Sequence, residues 1–105
     1  MSKKKKLGPV CQLLNHPSNW TKFAFCRDLL GKKSNFENAD CFCLSGAILK
    51  AYPKHNSFQI EELENKCLKE IRRKTGKNYH LISTYNDAPN TKFEDVREII
   101  TKLNI

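Results

Sequence analysis

The sequence predicts a mainly α fold, a compact small bundle of four to five helices, on three observations. Apolar residues recur at three- and four-residue spacing around 43–51, 60–71 and 93–103, the pattern of a single buried helix face. Residues that start or stop helices bracket these segments: Gly8-Pro9, Asp40, Asn56-Ser57, Gly76, and Thr91 with Glu94. Finally, 79–85, which reads as readily as a short strand, would have no partner elsewhere in the chain, and a lone strand is not stable in water.

The first helix opens at Gly8-Pro9, because proline suits the first helical position, with Val10, Leu13 and Leu14 facing inward. His16-Pro17-Ser18-Asn19 ends it. Residues 20–28 are rich in aromatics and alternate poorly, so period alone leaves an extended segment and one or two helical turns equally open. A polar loop follows over 31–38. Asp40 then caps a central helix whose buried face is Cys43, Leu44, Ala47, Ile48 and Ala51. Gly46 lies inside that helix at a cost of about 0.5–1 kcal/mol against alanine, which predicts close approach of another backbone, from the 20–28 segment or the final turn.

Ser57 or Asn56 caps the longest helix, over 58–75, with Ile60, Leu63, Cys67, Leu68 and Ile71 inward and Gly76 as its stop. Its glutamates cluster near the start and its lysines and arginines near the end, complementing the helix dipole. Residues 79–85 are assigned to a short helix. The turn 85–91 launches the last helix, with Thr91 and Glu94 at capping-box spacing and Phe93, Val96, Ile99, Ile100 and Leu103 on its apolar face.

With 105 residues, the chain suits one core that buries roughly 65% of its unfolded surface. Residues 1–7 are expected to form a basic flexible tail and 8–105 a single helical domain. No run approaches the length of a membrane span, and no apolar run follows the basic start as a secretory signal requires. Five cysteines at positions 11, 26, 41, 43 and 67 form no paired framework, and reduced thiols in a cytoplasmic protein are the expectation. The net charge of +8 draws on Lys3, Lys4, Lys5 and Lys6, so half of the excess lies in the tail, where a run of like charge is usually solvated.

Three constellations bear on function. Cys41 or Cys43 at a helix start, with His80 as base and Asn86 or Asp87 orienting it, has the order of a thiol hydrolase, but Cys43 also belongs to an apolar face. A zinc site is not expected, because the C-x-C spacing on a helix sends its thiols to different sides. The polar pairs Arg27-Asp28 and Asn86-Asp87 each follow an aromatic segment, and burial would force them to find partners. One arrangement is a bridge from Arg27 to Asp87 that ties the early segment to the turn. The other is a polar pocket lined by Trp20, Arg27, Asp28, Asn86 and Asp87.

These residues also carry a resemblance. Trp20, Ala24, Arg27 and Asp28, then Cys43, Leu44, Gly46 and Ala47, then Asn86, Asp87, Ala88, Pro89, Thr91 and Val96 match in order the blocks of a family of small bacterial and phage proteins, a domain of unknown function. Cys26, Phe42 and Tyr85 depart from its pattern and keep its small or aromatic character. The resemblance implies that the three blocks belong together and implies no catalysis.

The function expected is a small non-enzymatic binding protein whose partner is another protein, in a regulatory or phage setting, with no cofactor, no metal and no membrane. The alternative is nucleic-acid binding through the lysine tail and the surface of Lys66, Lys69, Arg72, Arg73 and Lys77. A cysteine hydrolase comes third.

Overall fold

A computed structural model describes residues 7–105, so the lysine tail expected over 1–7 lies, except for Leu7, outside the described residues. Helix dominates: α1 (Pro9–Leu13), a 3-10 turn (Pro17–Asn19), strands β1 (Cys26–Arg27) and β2 (Cys41–Phe42), then α2 (Leu44–Ala51), α3 (Ser57–Thr75), α4 (Ile82–Asn86) and α5 (Phe93–Leu103). The predicted mainly α fold of four to five helices is the observed one, with five helices among the described residues and 79–85 contributing to a short one.

The core lies where α2 meets α1, α3 and α4 and where α5 closes over α1 and α3. Val10, Leu14, Leu44, Ile48, Ile71, Val96, Ile99 and Ile100 are fully enclosed there. Gly8 sits so close to the C-terminus that a Cβ on it would lie 2.1 Å from the carbonyl oxygen of Ile105, while Val10 donates its N–H to the same oxygen at 2.8 Å. Arg97 of α5 donates to the carbonyls of Cys11 and Leu14, satisfying groups that the end of α1 leaves open.

Two predicted helix starts move. Asp40 does not cap α2, because residues 40–43 are engaged in strand pairing: Asp40 donates its N–H to Arg27 and Cys43 donates its own to Phe25. The helix starts after this pairing ends, and the thiol of extended Cys43 accepts from the N–H of Gly46 at 3.3 Å. Nor do Thr91 and Glu94 form the cap of α5. Thr91 is turned into the interior, Lys92 is the capping residue, and the Asp95 carboxylate accepts the Lys92 N–H at 2.9 Å. Only this half of a capping box forms, since a lysine side chain has no acceptor to offer in return. The long helix matches its reading: Asn56 and Gln59 cap it reciprocally, and Gly76 ends it at φ 69°.

The β1–β2 pair is not foreseen in the sequence. Cys26 faces Phe42 and Arg27 faces Cys41, antiparallel, and Trp20 bridges Phe42 in parallel on the other side, with the Thr21 N–H bonded to the Phe42 carbonyl at 3.1 Å. Residues 20–28 therefore straddle β2 like a clasp, and 22–25 cross over its end. Gly46 makes this possible: the Phe25 carbonyl oxygen lies 2.2 Å from where a Cβ would be, so the approaching backbone is the 20–28 segment, one of the two expected.

On α3, Glu70 is flanked by Arg73 and by Lys102 of α5. Hydrogen bonding from Arg73 first, then Lys102, holds its carboxyl down at about 2 against an ordinary 4.5. The folded state thus binds this proton less readily than the unfolded chain, so the stabilisation is present above about pH 4.5 and is lost as pH falls toward about 2. Glu70→Gln is expected to flatten the pH dependence of unfolding across that acid window, measured by chemical denaturation at each pH.

Candidate functional site

The turn after α4 is organised by Asn86, which has no solvent exposure. Its Oδ1 accepts from Trp20 Nε1 at 2.7 Å and from the N–H of Leu44, the first residue of α2, at 3.0 Å. Its Nδ2 donates to the Thr21 carbonyl and to Asp87 Oδ1, both at 3.0 Å. One side chain thus joins the clasp, the central helix and the last turn, with both donors and two lone pairs in use. Trp20 packs 6.4 Å from the ring of Phe93, and Lys22 lies 5.5 Å from the Trp20 ring centroid while donating to the Ala88 carbonyl at 2.6 Å.

Of the five candidates, Trp20, Asn86 and Asp87 meet here, whereas Arg27 and Asp28 stand apart. The bridge from Arg27 to Asp87 does not form. Arg27 donates from Nε to Thr21 Oγ1 and from its other nitrogens to the carbonyls of Gly31 and Lys22, because the clasp folds back on itself and supplies acceptors closer than the turn. Arg27 reaches Asn86 only through Thr21, which each of them bonds. Asp28 accepts from the N–H groups of Leu30 and Lys32 and shapes a tight local turn.

Asp87 does something else. Its Oδ1 accepts the N–H of Phe23 at 2.9 Å, and Phe23 has φ 65°, a left-handed conformation that costs a residue with a Cβ about 1–2 kcal/mol. The result is a ring aimed outward: Phe23 is 68% exposed and Phe25 59% exposed. Together with Lys33, Cys43, Ser83 and Asp87 they border an open groove of about 530 Å³. Sequence reasoning placed the site on the polar pairs and passed over these two rings. Strand alternation would put 23 and 25 on one side and the small residues 24 and 26 on the other, but the chain bends over 22–25 and Phe23 is left-handed, so the exposure of the two rings does not follow from that pattern.

The alternative chemistries fit less well. Burial raises the thiol of Cys43, and burial together with the Asp40 and Asp28 carboxylates raises that of Cys41, whereas a nucleophilic cysteine needs the reverse. His80 lines a different groove from the one Cys43 faces. Among the described residues no group of three or more His, Cys, Asp or Glu stands at metal-binding spacing, and no helix is long and apolar enough to cross a membrane. Lys66, Lys69, Arg72, Arg73 and Lys77 are all exposed, but Arg73 is engaged by Glu70 and Arg72 donates to the Tyr79 carbonyl. Glu62 and Glu70 share the stripe of Lys66, Lys69 and Arg73 at helical spacing, which gives a face of mixed sign.

Compared with known proteins, residues 7–103 match the model of a family described as a family of unknown function (DUF6197). No curated protein and no solved structure matches the chain.

Proposed function

Since the chain belongs to that family of unknown function, which lends it no activity, we propose from its geometry that it is a small non-enzymatic binding protein that docks a protein partner on the Phe23–Phe25 loop. The observation that carries this reading is Phe23, a bulky ring kept in a left-handed conformation and turned into solvent by a hydrogen bond from its backbone to Asp87. Backbone strain of this kind persists where the surroundings impose it, and it clusters at sites of function. Exposed aromatics beside a groove are also the usual anchors of protein interfaces.

On this reading Trp20, Asn86 and Asp87 form the latch that positions the loop, with Arg27 and Asp28 bracing it from behind, and none of the five needs to touch the partner. Five free thiols suit a reducing compartment, so the proposal includes a cytoplasmic setting. A bacterial or phage origin rests on the motif resemblance alone.

Phe23→Asn separates loop from latch, since asparagine tolerates the left-handed region far better than phenylalanine. The variant is expected to unfold at the same or a higher denaturant concentration, gaining up to about 1 kcal/mol from relieved strain. Its partner affinity falls at least about tenfold, as for a buried aromatic anchor. The check is capture from native lysate on wild type and on the folded double variant Phe23→Asn/Phe25→Ser: a partner retained only by wild type supports the proposal, and equal recovery rejects it.

A further inference from the structure

Next to the aromatic loop, a second groove of about 730 Å³ runs between α2, α3 and the start of α4, and Phe25 and Ser83 border both. Its apolar lining includes Leu49, Ile60, Leu68 and Leu81, and its wall from α3 carries Glu61 and Glu64. Leu81, 62% exposed, extends the apolar surface to the rim.

The acidic residues of the chain differ in their partners. Asp28, Asp40 and Asp87 accept backbone N–H groups, Glu70 pairs with Arg73 and Lys102, and Asp95 and Glu98 pair with Lys74. Glu61 and Glu64, like Glu37, Glu62 and Glu94, have no cation within salt-bridge distance among the described residues, and of these five only Glu61 and Glu64 line this groove. The groove lining contains no lysine or arginine, and His55 and His80 are its other titratable groups. Burial and the neighbouring Glu61 charge push the Glu64 carboxyl up, the direction that an incoming cation would reverse.

We infer that this groove receives a peptide segment of the protein partner in which an apolar side chain lies close to a lysine or arginine, the apolar group entering between Leu49 and Leu81 and the cation settling against Glu61 and Glu64. The inference rests on the reading of the chain as a protein-binding module and adds the partner's chemistry. Charge complementarity selects the occupant: the two carboxylates repel a phosphate backbone or an anionic lipid surface, attract a basic residue, and disfavour acidic competitors.

The test is selection of a random displayed peptide library on the immobilised full chain, followed by fluorescence anisotropy of the enriched peptides with wild type, Glu61→Gln/Glu64→Gln, Leu81→Ser and Phe23→Asn. Enriched peptides should carry Leu, Ile, Met or Phe near Lys or Arg. They should lose at least tenfold affinity with the double glutamine variant and with Leu81→Ser, and weaken as salt rises. These substitutions lie on exposed or half-buried positions, so the variants are expected to fold, which circular dichroism checks. Peptides without a basic residue, unchanged affinity in the glutamine variant, or no enrichment at all overturn the inference. Peptides lost with Phe23→Asn but indifferent to the glutamine variant overturn it while leaving the docking loop in place.

Discussion

Asn86→Ala is expected to cost about 3–5 kcal/mol, summing a buried N–H and two partly buried groups left without partners. The bonds lost are those to Leu44 N–H, Trp20 Nε1, the Thr21 carbonyl and Asp87 Oδ1. Alanine replaces none of them, and the enclosed site gives water little access. Against a domain stability of about 5–15 kcal/mol the loss is a large fraction. Asn86→Asp is expected not to rescue it, because the Nδ2 donor disappears and a carboxylate comes to face Asp87. Urea denaturation followed by tryptophan fluorescence reads the effect directly, since Trp20 is the sole tryptophan and one of the groups released. A folded Asn86→Ala protein of wild-type stability would return Asn86 to the set of ligand-binding residues and remove it from the latch.

Legibility in the sequence follows whether a feature is local. The cap and stop of α3 at Asn56 and Gly76, the proline start of α1 and the inward faces of α2, α3 and α5 all depend on residues within a turn of one another, and each agrees with the structure. The Asn86-Asp87 block is legible as a meeting point because Asn and Asp beside a turn must bond something. What could not be read is which distant atoms they bond. The Arg27 guanidinium finds acceptors within its own loop, and this depends on the clasp closing around β2, a pairing between residues some fifteen positions apart that no periodicity reports. The same pairing engages the backbone of 40–43 and shifts the start of α2 from Asp40 to Cys43. Thr91 was misread for a similar reason: its spacing to Glu94 fits a cap, but the turn rotates it into the core. The outward rings of Phe23 and Phe25 were hidden because an aromatic residue reads as core by default, and only the left-handed backbone at Phe23 turns it outward.

Gly46 joins this non-local pairing to the docking surface, and Gly46→Ala is expected to destabilise the protein by about 2–4 kcal/mol. In an exposed helix the same change stabilises by about 0.5–1 kcal/mol, so the sign itself is diagnostic. The new methyl carbon would lie 2.2 Å from the Phe25 carbonyl oxygen and 3.0 Å from its carbonyl carbon. These are backbone atoms, so relief requires α2 or the clasp to move. That carbonyl already accepts the Cys43 N–H at 3.1 Å, and withdrawing it breaks the bond that leads the chain from β2 into α2. The displaced residue is Phe25, whose ring borders both grooves. Any Gly46→Ala protein that still folds should therefore bind the partner more weakly than its residual stability accounts for, whereas Phe23→Asn weakens binding with no loss of stability. Denaturant unfolding and partner affinity measured on both variants separate the two effects. A Gly46→Ala protein at least as stable as wild type would mean that the clasp does not rest on α2 at this position, and the fixed presentation of Phe23 and Phe25 would lose its physical basis.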